Sequence, residues 1–167
     1  MDVHIAQASA AETSVVSEVL WEAASWLQQR GMPLWRRADV EPTAIEADVS
    51  SGYYFLARVS GKPAATFKYQ PEDPMTWPDA VPGEASYVHR IALLRIYAGG
   101  VVSSKLLQWA AARARAEGKA FLRLDCDSVR PRLRAMYEQF GFVHHSDRQV
   151  GPFHVARYQL LASSAAA

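Results

Sequence analysis

One segment, Tyr87 to Phe142, leaves few folds open to this chain. It reads strand, glycine turn, helix, strand, helix. Tyr87-Val-His-Arg-Ile-Ala-Leu-Leu94 is apolar enough for a strand buried on both faces, as central strands are. Ala98-Gly-Gly-Val-Val-Ser103 is a turn that opens an amphipathic helix over Ser104 to Glu117. Val102, Leu106, Ala110 and Ala114 form its apolar stripe, Leu107 and Trp109 flank it, and Gly118 closes it. Phe121-Leu-Arg-Leu-Asp-Cys126 is a second strand, with Leu122, Leu124 and Cys126 on one face. Pro131 suits the first turn of the next helix. There Leu133, Met136, Tyr137 and Phe140 make a helical stripe, and Gly141 is the expected cap. A strand–turn–helix of this kind aims unpaired N–H groups and the positive end of a helix dipole at one spot, which suits a phosphate-bearing ligand.

The flanking segments read more plainly. Val3 to Ala8 is a short strand, and Ser9-Ala-Ala-Glu12 fits a capping box. Val16, Val19, Leu20, Ala23, Trp26 and Leu27 share a helical face, which Gly31 and Pro33 end. A short helix follows around Pro42 to Val49. Tyr53 to Val59 and Ala64 to Tyr69 are two strands joined by Ser60-Gly-Lys-Pro63, tight enough for a hairpin. Pro71 to Ala85 holds four prolines and Trp77, a stiff irregular loop of a length that is often functional. Phe142 to His145 and Phe153 to Leu161 read as a closing antiparallel pair.

At 167 residues, half of them hydrophobic, the chain suits one domain with a sizeable core, over residues 1–161. The segment 162–167 reads as a frayed tail. Formal net charge is +1, so nothing suggests a nucleic-acid partner. A single cysteine, Cys126, excludes an internal disulfide, and the paired cysteines of zinc sites are absent; no metal is expected. There is no long apolar run and no signal-peptide pattern, so the expectation is a cytoplasmic protein that does not bind membranes. Exposed strand edges and apolar loops permit a homodimer.

The order of elements, the turn, and the ending Tyr137-Glu-Gln-Phe-Gly-Phe142 resemble the GNAT superfamily of acyl-CoA-dependent N-acyltransferases. The resemblance covers Tyr87 to Phe142 well and the flanks loosely. It implies a single α/β (mixed α+β) domain: a central mixed, mostly antiparallel sheet with one splayed parallel pair, and helices on both faces. It implies acetyl-CoA as co-substrate and a small-molecule amine or peptide as acceptor. In that family the pyrophosphate sits on a Gln/Arg-x-x-Gly-x-Gly/Ala turn. Laid on this chain, the six positions are Ala98, Gly99, Gly100, Val101, Val102 and Ser103, so Gln/Arg becomes Ala98 and the glycines have moved. Ser104, Ile91, Leu93, Leu94 and Arg130 complete the implied coenzyme site, with N–H groups around Leu93 and Leu94 polarising the thioester carbonyl. Arg130 stands where the family often has Asn.

The same resemblance gives Tyr137 the role of general acid. A phenol of pKa about 10 can protonate a leaving thiolate of about 8.5 as its charge develops. Its other reading is an amphipathic core tyrosine on the Leu133/Met136/Phe140 stripe, and both hold together. Only a neutral amine attacks; deprotonating an ammonium at pH 7 costs about 4–5 kcal/mol, so a base is needed. His89, Glu84 and Asp125 are the candidates, His89 first for its intrinsic pKa. His89 also reads as a hydrogen-bonded core group, Glu84 as a solvated loop carboxylate, and Asp125 as the partner of Arg90 or Arg123. Cys126 beside His89 raises the idea of a covalent acyl-enzyme, against the simpler reading of an inert buried thiol. Trp35, Trp77 and Tyr54 are the candidate acceptor-binding aromatics, with cover for the core edge as the other reading of the loop tryptophans, and Trp26 reads as core. The alternative function is a GNAT-fold module that holds a CoA ester without turnover. An unrelated nucleotide-binding domain ranks last, because the chain has neither a phosphate-loop nor a dinucleotide motif.

Overall fold

The computed structural model describes residues 1–164. Its strands are β1 (Val3–Gln7), β2 (Tyr54–Val59), β3 (Lys62–Gln70), β4 (Ala85–Leu93), β5 (Phe121–Asp127), β6 (Val143–Val150) and β7 (Phe153–Leu161). Its helices are α1 (Thr13–Gln28), α2 (Arg37–Val40), α3 (Pro42–Ser50), α4 (Val101–Ala116) and α5 (Pro131–Phe140). The strands hydrogen-bond as one seven-stranded sheet in the order β1-β2-β3-β4-β5-β7-β6. β4 and β5 pair in parallel, while β1–β2, β2–β3, β5–β7 and β6–β7 are antiparallel. This is the mixed α/β class the sequence implies. The chain divides into two compact units, residues 1–68 with 90–106, and residues 69–89 with the chain from Leu107 onward.

In the first unit the hairpin turn is tighter than the sequence suggests. Val59 pairs with Lys62, so only Ser60 and Gly61 form the loop, at φ 50° and 78°. Two successive left-handed residues match the twist of antiparallel strands, which is why a glycine sits there. The capping segment forms a 3₁₀ turn rather than opening α1 directly. Glu12 accepts from the Ser9 N–H at 2.9 Å and from the Ser9 hydroxyl at 3.2 Å, and the capping box forms as expected. The core of this unit is apolar: Val16, Leu20, Val40, Ile45, Tyr54 and Leu56 pack together. Trp26 is not in it; the indole is half-buried at the surface. α2 escaped sequence reading because four residues carry too little periodicity to register.

In the second unit, β5 pairs along its full length with β7, and β6 with β7 over Val143–Val150, a longer strand than the sequence shows. Exposed polar positions in β6 weaken its apolar alternation, and only its first residues read as strand. Gly141, at φ 121°, ends α5 as expected. Ala162–Ser164 form a 3₁₀ turn rather than fraying: Ala162 is buried and its N–H donates to Ala120 O at 2.9 Å. Residues 165–167 of the expected tail lie outside the described residues.

The parallel pairing of β4 with β5 is brief. It covers Ala85–Tyr87 against Phe121–Arg123 and stops. Two residues further along each strand stand His89 and Asp125. Arg90, the next residue, has φ 50°, a left-handed value that costs energy in a non-glycine residue and interrupts strand alternation. Regular alternation would put Tyr87, His89, Ile91 and Leu93 on one face, and it breaks at Arg90 for that reason.

Candidate active site

The end of the β4–β5 pairing brings three ionisable side chains together. His89 Nδ1 lies 3.5 Å from Asp125 Oδ1, and its Nε2 lies 2.8 Å from Asp73 Oδ2. The closer contact is out of line with the ring N–H. Asp73 comes from the start of the proline-rich loop and is buried, and its other oxygen accepts the Thr76 N–H at 3.2 Å. His89 and Asp125 side chains each keep 18% exposure. Burial pushes the Asp73 carboxyl up, but His89 and the Thr76 N–H outweigh this and hold it below the ordinary carboxylate value. For Asp125 burial wins, aided by repulsion from Asp73 against the attraction of His89 and Arg157, and its pKa is raised. Two carboxyls on one imidazole thus differ, Asp73 being the firmer anion.

Asp125 therefore pairs with His89, not with Arg90 or Arg123. Arg123 instead contacts Glu84 at 2.8 Å, which takes Glu84 out of the candidate bases. Asp73 was not foreseen. Its sequence signal is no more than its place in the proline-rich loop. The facing of His89 and Asp125 was within reach: the register Tyr87 to Arg123 puts them opposite each other, but a parallel register is not written in either strand alone. One ligand atom from each of Asp73, His89 and Asp125 lies within 4.8 Å of the others, a spacing a metal ion can use. The absence of paired cysteines does not speak to such a set. The two short contacts, however, engage different ring nitrogens, so one ion could not use both as they stand.

Tyr137 lies on α5 and is buried, its ring edge-on to Phe142 at 5.9 Å and tilted to Tyr158 at 6.1 Å. The hydroxyl has no hydrogen-bond partner among the described residues. Burial, then the neighbouring Cys126 and Asp125, raises its pKa, so it stays protonated, as a proton donor must before the reaction. Arg130, the residue before α5, lies close enough to Tyr137 and Cys126 to lower both. Cys126 is buried and its thiol is pushed up to about 12, chiefly by burial. A protonated, enclosed thiol is a poor nucleophile, which disfavours the acyl-enzyme idea.

In the other unit, α4 begins at Val101, not Ser104. Gly99 takes the left-handed turn at φ 76° and Gly100 leads into the helix. Val101 is thus helical and half-exposed, and its bulk imposes no positive φ. The Ser103 hydroxyl donates to Gly100 O at 3.4 Å. Ala98 is extended at φ −70°, ψ 144°, and Val102 is buried. Val101, Val102 and Ser103 supply the first N–H groups, which a helix leaves without internal acceptors; Ser104 follows in the same turn. Ile91 and Leu93 are half-buried on β4. The Leu94 N–H is not available to a carbonyl, because it donates to Ala64 O at 2.9 Å.

Two of the three aromatic candidates are corrected. Trp77 is 3% exposed and packs on Tyr87, with the Arg123 and Arg157 guanidinium carbons 4.7 and 4.6 Å from its ring centroid. Tyr54 is fully buried and its hydroxyl accepts from Arg90 Nη1 at 3.1 Å. Neither can form an acceptor wall. Trp35 remains half-buried, with Arg90 over its ring at 5.6 Å, and lines a cavity of about 260 Å³ with Trp21, Arg36 and Arg37.

The model of the acetyltransferase (GNAT) family matches residues 16–142, most of the chain, from within α1 to the end of α5. The chain belongs to this family and is an acyltransferase of its kind. It is 27% identical over 135 residues, 76% of its own length and 74% of the relative's, to the uncharacterized N-acetyltransferase YesJ of Bacillus subtilis (strain 168). Among solved structures, a GNAT-family acetyltransferase of Listeria monocytogenes 4b F2365 matches with TM-score 0.80 at 22% identity, covering 95% of this chain and 94% of that one. The PaiA N-acetyltransferase of Thermoplasma acidophilum, solved with coenzyme A, matches with TM-score 0.75 at 14% identity, over 96% and 100%. YncA of Salmonella typhimurium, solved with acetyl-CoA, matches with TM-score 0.73 at 16% identity, over 100% and 98%. At these identities the solved structures speak for the fold. Among the described residues no helix is long and apolar enough to cross a membrane.

Proposed function

We propose that this chain transfers an acetyl group from acetyl-CoA to the primary amine of a small molecule or peptide by direct attack, as one domain working in the cytoplasm. The observation that carries the reading is the buried Tyr137 side chain, its phenol kept protonated by burial, at the position the family resemblance gives to the general acid. Coenzyme A and acetyl-CoA in PaiA and YncA support the choice of co-substrate. Its diphosphate would rest on the N–H groups from Gly99 to Ser104 and on the positive end of α4. Leu93 N–H, rather than Leu94, would polarise the thioester carbonyl. His89, steadied by Asp73, takes the ammonium proton. The free amine attacks the thioester carbon, the C–S bond breaks, Tyr137 gives its proton to the sulfur, and the acylated nitrogen sheds its remaining extra proton, which restores the Tyr137 phenol through solvent.

Isothermal titration with acetyl-CoA tests the first half. Binding in the micromolar range is expected, and none at hundreds of micromolar would end the reading. Thiol release with an amine panel tests the second half. Tyr137→Phe should slow turnover by about 10²–10⁴-fold, the usual worth of a positioned proton donor. Ala98 in place of Gln/Arg favours one rival, a module that binds a CoA ester without turnover. Tight coenzyme binding with no thiol release from any amine would select it.

A further inference from the structure

His89 and Asp125 face each other across the strands just past the end of their pairing, at a distance that neither closes a hydrogen bond nor leaves the atoms independent. Nδ1 and Oδ1 are 3.5 Å apart. A nitrogen atom about 2.9 Å from each, an ordinary hydrogen-bond length, fits that gap as the apex of a triangle. The other ring nitrogen is occupied by Asp73, which is itself held by Thr76, so the imidazole cannot turn away without leaving a buried carboxylate alone. Asp73 Oδ2 and His89 Nε2 face each other at 2.8 Å, which leaves Nδ1 as the ring nitrogen turned to Asp125. Two carboxyls against one imidazole make the cluster anionic or neutral, never positive. The groups that bear on it are Arg157, Cys126 and Tyr137, of which only Arg157 is cationic, and its guanidinium is already bonded to Asp79 at 2.7 Å.

We propose that His89 Nδ1 and Asp125 Oδ1 form a two-acceptor clamp for a primary ammonium, and that Asp125 is the residue that selects cationic amines as acceptors. This rests on the transferase reading for its purpose, though not for its geometry. One ammonium N–H donates to Asp125, whose charge draws the cation in. A second donates to His89 Nδ1 and is the proton transferred. The nitrogen keeps its bond to carbon and two hydrogens, and the electron pair released is the one that attacks. A quaternary amine cannot make either contact, and an alcohol has one donor where two are needed.

The test reads binding at His89 directly. Imidazole ¹H–¹⁵N spectra of the full chain, with the His89 signals assigned by their loss in His89→Asn, are followed during titration with n-butylammonium chloride, 1-butanol and sodium butyrate. The ammonium alone should move the His89 signals, and Asp125→Asn should weaken its binding about tenfold or more, the worth of a charge-assisted hydrogen bond. Equal shifts with butanol, or an unchanged affinity in Asp125→Asn, would overturn the clamp. Stoichiometric uptake of zinc from zinc chloride, lost in both Asp73→Asn and Asp125→Asn, would also overturn it and assign the cluster to a metal. If Asp125→Asn does not fold, the three probes on the wild-type chain still decide. Acetyl-CoA titration is run separately, so failure of coenzyme binding tells against the transferase reading and failure of the ammonium titration against the clamp.

Discussion

Two tryptophans in this molecule are each flanked by two guanidinium groups, and they behave as opposites. Trp26 stands half-buried on α1, with Arg30 and Arg95 each 3.8 Å from its ring centroid. No acidic side chain is in contact with either guanidinium among the described residues, and Arg30 reaches only a backbone oxygen. Trp77 is 3% exposed between Arg123 and Arg157. Here each cation has its own acid: Glu84 at 2.8 Å for Arg123 and Asp79 at 2.7 Å for Arg157. Gln159, Tyr87, Ser146 and Thr76 take further N–H groups. Water does at the surface what these residues do inside. A guanidinium can lie on an indole anywhere, but in the interior it must be neutralised and its donors used, or the burial costs more than the contact returns.

The same contrast separates the two compact units. Buried polar residues of the first are Ser17 and Thr66, both small hydroxyls, whereas the second buries Asp73, Thr76, Ser86, Arg123 and Arg157. The first unit holds together by apolar packing. The second holds together by polar groups that must all be satisfied, and the network fastens the proline-rich loop that delivers Asp73 to His89. Substituting the tryptophans gives the largest expected difference. Trp77→Ala removes a large buried side chain and leaves two guanidiniums facing across a void, for a loss of about 4 kcal/mol. Trp26→Ala should cost about 1 kcal/mol. Urea unfolding of both variants checks this, and equal losses would break the comparison.

This division also explains what could be read from the sequence. The first unit was legible because helix stripes, a capping pair and a Ser-Gly turn are local signals, and apolar periodicity reports an apolar core. The Trp77 network was not. Arg123 and Arg157 look like solvated cations on their own strands, since charge gives no hint of burial until the partners are known. Trp77 looked like a binding wall because it stood in a loop. At the candidate site, Tyr137 and His89 are candidates from position in the fold, Asp125 pairs with His89 rather than with an arginine, and Asp73 carries no local signal. Each error is a contact between residues far apart in sequence. The start of α4 was misjudged for a different reason: two glycines preceded a valine, and only Gly99 needs the left-handed conformation.

The next effect is smaller and isolates the acids. Arg123→Met keeps much of the volume over Trp77 but leaves Glu84, a quarter exposed, without its cation. The expected loss is about 3 kcal/mol, towards the low end for breaking a buried pair. Arg95→Met at the surface should change stability by less than about 1 kcal/mol. If the double variant Arg123→Met with Glu84→Gln recovers most of the loss, the unpaired carboxylate rather than the missing guanidinium sets the cost, and the contrast between interior and surface becomes a statement about charge alone.

Acid should weaken the network by a modest amount and from a defined side. Asp79 is held at about 2, chiefly by its hydrogen bonds to Arg157. A carboxyl depressed in the folded state stabilises the fold above its unfolded value, about 3.9, and that contribution fades as pH falls through the folded value. The window for Asp79 is therefore about pH 4 down to about 2. Its side chain is 58% exposed, so solvent screens the pair and the amplitude is small. Asp79→Asn should flatten the stability profile within that window and leave it unchanged above pH 5. A profile that keeps its slope there would mean that Arg157 is neutralised by another group, and that the loop is fastened by Trp77 stacking more than by charge.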